Sequence, residues 1–320
     1  MTLHENAQLF TDTILAAAEH FAISPVYIEK DYWITRVLQR MAQNPNAEKV
    51  VFKGGTSLSK AYRLTNRFSE DIDIAAIDAN SFSGNQLKML IKQLAKDITA
   101  GLEEIVLNSI TSKGSRFYKA VYQYLTIIGQ STRTAIKTGQ LLVEINTYAN
   151  PYPYQKQTVT SFISDFYEQT NNTPLIEQYN LQPFTLNVLD KRRTMIEKLV
   201  SLFRFSFAEN LIVELSAKIR HFYDLYYLAN DSECATYIQS IDFQKDLSEL
   251  FAHDQQEFNT PEGWQTKKIA DSPLIKGFPA IWERLRSVYK NELTPLAFVE
   301  IPEEKEVETS FYKIIKNINR

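Results

Sequence analysis

Val50-Val51-Phe52-Lys53-Gly54-Gly55-Thr56-Ser57-Leu58-Ser59-Lys60 is followed, six residues later, by Arg67-Phe68-Ser69-Glu70-Asp71-Ile72-Asp73-Ile74. The first stretch begins as a β-branched apolar run and breaks into two glycines and two hydroxyl residues, the pattern of a buried strand handing over to a helix N-terminus. Leu58, Ala61, Tyr62 and Leu64 then recur at helical spacing and predict a short helix, with Ser59, Lys60, Arg63 and Asn66 on its wet side. In the second stretch the period is two. Ile72 and Ile74 point into a core, and Asp71 and Asp73 project together from the opposite face.

Two carboxylates held side by side repel unless a divalent cation neutralises them, and hard oxygen ligands of this kind suit Mg²⁺ or Mn²⁺. Glycine lets backbone approach a ligand closely, and the free N–H groups at a helix start attract phosphate oxygens. Gly54, Gly55, Thr56 and Ser57 are therefore the candidate phosphate turn, with Lys53 beside it as a secondary candidate. The turn is not a P-loop, because Gly-x-x-x-x-Gly-Lys-Ser/Thr cannot be laid on residues 53–60.

The whole chain bounds what these elements can belong to. Its 320 residues are 44% hydrophobic and 12% aromatic, enough for one large or two ordinary globular domains. A net charge of −3 gives no global electrostatic case for nucleic acid, so any such contact needs a local basic patch. Cys234, alone, rules out an intrachain disulfide or a thiolate metal cage. The four histidines, at positions 4, 20, 221 and 253, suggest no zinc site. No charged-then-apolar leader and no run of eighteen apolar residues is present, which predicts a cytoplasmic chain with no membrane partner.

Residues 3–22 read as an amphipathic helix, and Ser24-Pro25 opens a second one to about Ala42. Inside it, Glu29-Lys30-Asp31-Tyr32-Trp33 reads from the residues alone as a solvated charged turn beside a core face. Gln86–Leu107 is helical by pattern; Lys119–Ile128, Leu141–Thr147 and Phe184–Leu189 read as strands. Glu144 sits inside an apolar strand, where it either finds a partner or faces solvent at an edge, and Asn146 shares its face. Residues 150–180 read as an aromatic, proline-punctuated connection. Beyond Asp190 the pattern turns helical, apart from loops at 259–263 and 271–279, which places a soft boundary near residue 190.

Phe52-Lys53-Gly54-Gly55-Thr56-Ser57-Leu58 through Arg67-Phe68-Ser69-Glu70-Asp71-Ile72-Asp73 resembles the signature of the AbiEii/AbiGii toxin nucleotidyltransferases, within the DNA polymerase β-like superfamily. Glu197-Lys198-Leu199 and Asp224-Leu225-Tyr226-Tyr227-Leu228 are similar to two further motifs of that family in the same order. The resemblance spans roughly residues 25–230. It implies an α+β fold with a mixed-sheet nucleotidyltransferase core (46–190), N-terminal helices (1–45), and a C-terminal helical region (191–320) completing the active site. It also implies that Glu144 joins Asp71 and Asp73 as a third metal ligand, that Lys198 contacts nucleotide phosphates, and that Asp224 is an additional active-site carboxylate. Lys30 or Asp31 would line the cleft, and Arg220 and His221 are secondary candidates. From the residues alone, Glu197 and Lys198 are an ordinary helix-surface pair and His221 a satisfied interfacial histidine.

The implied reaction moves a nucleoside monophosphate from an NTP to an acceptor. The implied setting is a bacterial toxin–antitoxin or abortive-infection system, with a cognate antitoxin and RNA, at the 3′ end of tRNA, as the acceptor. Lys191, Arg192, Arg193, Arg204, Lys218 and Arg220 make up a small basic patch for RNA phosphates. Two alternatives stand beside this: an antibiotic-type enzyme with a small-molecule acceptor, and a nucleotide- or partner-binding module without turnover.

Overall fold

The computed structural model describes residues 1–69, 71–114, 116–128 and 139–318, so Glu70 of the motif lies outside the described residues, as does the side chain of Asn80. By its contacts the chain divides into two compact units, residues 1–62 with 68–189 and residues 63–67 with 190–320.

In chain order the first unit contains α1 (Ala7–Phe21), α2 (Pro25–Gln43), β1 (Val50–Lys53), α3 (Gly54–Lys60), β2 (Asp71–Ala76), α4 (Gly84–Ile98), β3 (Glu103–Ile105), β4 (Ser112–Lys113), β5 (Phe117–Gln123), β6 (Gln140–Asn146), β7 (Tyr154–Val159), α5 (Phe162–Gln169), α6 (Thr173–Gln178) and β8 (Phe184–Leu189). The strands form one mixed sheet in the order β3-β5-β6-β2-β1-β8-β7, with β4 also on β5. β2 is antiparallel to β1 and parallel to β6, so the acid-bearing strand lies inside the sheet between two partners. Val50, Val51 and Phe52 are buried, as a central strand requires, and Ile72 and Ile74 are buried while Asp71 and Asp73 are half-exposed. The α+β class is the one predicted.

Several boundaries differ from the sequence reading. The 86–107 helix stops at Ile98, because Gly101 takes a left-handed φ of 83° and the chain turns into β3. The strand expected over 119–128 ends at Gln123, and the helix after the glycines ends at Lys60, so Leu64 lies outside it. Residues 150–180 are not a mere connection: they hold β7, α5 and α6. β7 reads Tyr-Gln-Lys-Gln-Thr-Val, too polar to register as a strand, yet it pairs along its whole length with β8 at the sheet edge.

The second unit is helical: α7 (Lys191–Ser206), α8 (Leu211–Ser216), α9 (Ile219–Asn230), α10 (Ser232–Ile238), α11 (Ile241–Glu257), α12 (Pro273–Leu293) and α13 (Glu304–Ile318). Residues 273–279, read as loop, begin α12, with Pro273 in its first turn and a break in helical geometry at Gly277. Its core is aromatic. The rings of Phe222, Phe278 and Phe311 pack at centroid distances of 4.5–5.9 Å.

Candidate functional site

In the first unit, strand register builds one face of the sheet residue by residue. Asp73 stands opposite Lys53 on β1 and Glu144 on β6, and Glu144 stands opposite Lys119 on β5. Cross-strand partners share a face, so Lys53, Asp73, Glu144 and Lys119 form a row in which two neighbouring acids stand between two lysines, with Asp71 two residues along β2 on the same side. The Lys119 ammonium donates to Glu144 Oε1 at 2.7 Å. Glu144, expected as the third acid beside Asp71 and Asp73, is thus in register with Asp73 but ion-paired with Lys119. Among the described residues no group of three or more His, Cys, Asp or Glu is placed to hold a metal ion.

The glycine turn meets this face directly. Gly54 has φ +80°, and a Cβ built on it would fall 2.1 Å from Asp73 Oδ2. The Asp73 carboxylate therefore closes over the Gly54 backbone, an approach that only glycine permits. Thr56 Oγ1 donates to the carbonyl of Asp71, which ties the turn to the acid strand a second time. Ser57 Oγ donates to the Gly54 carbonyl at 2.8 Å. Both hydroxyls are buried and turned inward, so what the turn offers outward is backbone at Gly54 and Gly55.

The Glu29-Lys30-Asp31 segment is not a solvated turn, because all three side chains are buried in α2. Glu29 accepts from Thr126 Oγ1 and the Ile127 N–H, at 2.7 and 2.8 Å. Burial pushes its carboxyl pKa up, opposed by those hydrogen bonds. Asp31 Oδ1 accepts from Lys60 Nζ at 2.6 Å and Oδ2 from the Phe162 N–H at 2.9 Å, while Lys60 also donates to the Thr160 carbonyl at 2.7 Å. Asp31 thereby fastens the end of α3, the helix that carries the glycine turn, to α2 and to the start of α5. Burial raises its pKa and the Lys60 cation opposes the rise.

In the second unit, Asp224 on α9 is fully buried and shared by two cations. Arg67 grips it with both arms, Nε to Oδ1 at 2.8 Å and Nη2 to Oδ2 at 2.7 Å, and Lys198 of α7 reaches Oδ2 at 2.8 Å. Although burial alone would raise this carboxyl, Arg67 and then Lys198 outweigh it and hold the pKa well below the usual range. His221, one turn earlier on α9, has its pKa driven well below the ordinary histidine value by burial and by the Lys198 charge, with Asp224 pulling the other way. Lys198 is accordingly no surface residue. The Arg63–Arg67 segment is anchored by a bridge between Arg67 and Ala297 and by a hydrogen bond from the Phe298 N–H to the Asn66 carbonyl at 3.1 Å.

Most of the basic patch expected in this unit is engaged internally. Lys191 pairs with Asp231 and Glu233 at 2.9 and 3.0 Å, and Arg192 with Asp190 at 2.8 Å. Arg204 is buried against the rings of Phe258, Phe205 and Trp264 and donates to the Thr260 carbonyl, and Lys218 lies 3.9 Å from the centre of the Phe205 ring. The sequence pattern gave Arg67 no role and set Lys60 on the wet side of its helix, whereas the Lys60 ammonium is largely covered and paired with Asp31. Their partners lie 157 and 29 residues away, and no local pattern announces them.

Residues 36–304 match the family described as the nucleotidyl transferase AbiEii toxin of type IV toxin–antitoxin systems. Among solved structures the chain is similar to MenT4, the nucleotidyltransferase toxin Rv2826c from Mycobacterium tuberculosis H37Rv. The identity is 17% and the TM-score 0.51, over 95% of this chain and 98% of that one, which is a likeness of fold. No curated protein matches.

Proposed function

Because the chain belongs to the AbiEii nucleotidyl transferase toxin family, we propose that it transfers a nucleoside monophosphate from an NTP to RNA, at the 3′ end of tRNA, with Mg²⁺ or Mn²⁺. The observation that carries this is the Asp73 carboxylate closed over Gly54, which sets an acid pair against a backbone turn suited to phosphate. Mg²⁺ is commonly held by one or two carboxylates plus substrate phosphates, so Asp71 and Asp73 fit it without a three-acid cage. Glu144 is the further acid of the proposed set. Bound there, the cation would supply charge neutralisation for the triphosphate.

In the proposed reaction the acceptor hydroxyl oxygen bonds to the α-phosphorus, the bond from that phosphorus to the β-phosphate oxygen breaks, and pyrophosphate leaves with that electron pair. The hydroxyl proton passes to solvent. The turn of Gly54, Gly55, Thr56 and Ser57 holds the β- and γ-phosphates through the backbone it exposes at Gly54 and Gly55, with Lys53 as a nearby cation. Lys198 is assigned to nucleotide phosphate, and Asp224, whose low pKa makes it a poor base, is assigned to holding Lys198. His221 acts as a neutral hydrogen-bonding group, its pKa lying too low for a cation at neutral pH. Lys30 and Arg220 remain secondary candidates. A cognate antitoxin is the protein partner of a toxin of this family, and the proposed setting is cytoplasmic abortive infection. No helix among the described residues is long and apolar enough to cross a membrane.

The test is transfer of labelled nucleotide to total RNA by Asp71→Ala and Asp73→Ala variants at saturating Mg²⁺. A loss of at least about a hundredfold, the scale on which single electrostatic groups act in catalysis, is expected. Wild-type rates in the variants would overturn the assignment of the acid pair, and no transfer by the unmutated chain would favour a binding module. The internal engagement of Lys191, Arg192, Arg204 and Lys218 favours the second reading, a small-molecule acceptor. Acceptor binding that falls steeply from low to moderate salt marks RNA, and salt-insensitive binding marks the small molecule.

A further inference from the structure

Helix α4 carries Lys88, Lys92 and Lys96 in a row at four-residue spacing, all exposed. Its apolar side, Leu87, Ile91, Leu94 and Ile98, is buried against the unit's core. Like charges at this spacing destabilise a helix unless something answers them. Among the described residues none of the three lysines meets a carboxylate, and the acid on the same helix, Asp97, accepts from Asn44 and Gln93 instead.

The row runs into a cavity of about 420 Å³ lined by Lys92, Lys96, Lys113, Glu104, Tyr118 and Tyr122, among others. Glu104, the acid of this lining, is ion-paired with Lys113 at 2.5 Å. Tyr118 and Tyr122 are buried with their hydroxyls 2.6 Å apart. Two hydroxyls that share one hydrogen bond hold a second proton between them, and that proton is left to donate. The cavity thus presents ammonium groups and a buried O–H donor, the complement of a phosphate oxygen.

Strand register places this cavity away from the acids. Tyr118 stands opposite Ile145, and Ile145 opposite Ile74, all on the buried side of the sheet, whereas Lys119, Glu144 and Asp73 share the other side. A row of point charges along a helix suits a polymer whose own charges stand in a row, and a basic stripe on an acidic chain is the footprint of nucleic-acid contact.

We propose that the α4 lysine row and the cavity at its end dock the phosphate backbone of the RNA acceptor, as a second contact on the sheet face opposite Asp71 and Asp73. This rests on the RNA-acceptor reading above.

The full chain tests it by fluorescence anisotropy with a labelled single-stranded RNA and with total tRNA, titrated between 50 and 200 mM salt, a range over which phosphate contacts weaken strongly. The triple variant Lys88→Gln/Lys92→Gln/Lys96→Gln is compared with a control triple of the same charge change on the second unit, Lys267→Gln/Lys268→Gln/Lys313→Gln. The α4 triple should bind RNA at least about tenfold more weakly at the low-salt end, with a log–log salt slope reduced by about two, each lost contact to single-stranded RNA contributing about 0.7. Its melting temperature should equal or slightly exceed that of wild type, since the unanswered like charges are removed, and its NTP binding should match wild type. Wild-type RNA affinity and slope in the α4 triple overturn the docking site and leave the proposed reaction standing. An equal loss in the control triple also overturns it, in favour of net charge alone. If the wild-type chain binds no RNA at any salt, the RNA-acceptor reading falls and this inference with it.

Discussion

Gly54 is the position where one added carbon does most damage. An alanine there would press its Cβ into the Asp73 carboxylate and hold a left-handed backbone that costs a non-glycine residue about 1–2 kcal/mol. Gly54→Ala should lower the melting temperature by a few degrees and abolish labelled nucleotide transfer. Gly84→Ala, at a helix start with open space around it, should leave both unchanged or raise stability by about 0.4–1 kcal/mol. Asp224 makes a second prediction. Arg67 and Lys198 hold its folded carboxyl below the unfolded value of about 4, so its stabilising effect is complete above that pH and drains away on acidification toward the folded value. Asp224→Asn should be less stable at pH 7 by about 3–5 kcal/mol, the scale of a broken buried ion pair, and its stability should fall less on acidification in equilibrium urea titrations. The acid pair and the glycines were legible in the sequence because period two and a glycine doublet are local signals. Arg67 was not, because what makes it matter is a carboxylate 157 residues downstream.

The ion pair between α2 and α3 carries the element-scale prediction. Lys60→Met would leave the Asp31 carboxylate buried without its cation, a loss of about 3–5 kcal/mol, whereas Asp31→Asn/Lys60→Met should recover part of it. Burial already raises the Asp31 pKa and Lys60 opposes that rise, so removing Lys60 lets the pKa climb further. A carboxyl whose folded pKa is raised favours the folded state as pH falls. The Lys60→Met deficit should therefore be largest at neutral pH and shrink on acidification, as a chemical-denaturation series from pH 7 to pH 4 would read. Element type was legible wherever apolar periodicity was strong, as in β1, β2, β6 and α4. It failed for β7, whose pairing with β8 makes a strand of a polar sequence, and for the end of α4, where Gly101 outweighed the apolar pattern beyond it. It also failed for Glu29-Lys30-Asp31, where charge suggests water and the fold supplies buried partners instead.

For the whole molecule, the segment 63–67 is the feature that composition could not foretell. It leaves the first unit after α3, contributes Arg67 to the second, and the chain then resumes the first at Phe68. Arg67→Met in the full chain should speed amide hydrogen exchange in α9 and in α7, because Asp224, which Lys198 also holds, loses one of its two cations, while β1 and β8 keep their protection. A change confined to β1 and β8 would contradict that expectation. The turn to helix after Asp190 was readable from pattern, yet a five-residue excursion carries no periodicity of its own.

That excursion also bears on descent. A crossover between related genes at codon 190 would deliver a helical half with its aspartate and lysine but without the arginine that completes them, since the arginine is encoded 123 codons upstream. The two halves are therefore poor cassettes for exchange, and hybrids spliced at that seam should express badly unless the short upstream tract travels with them.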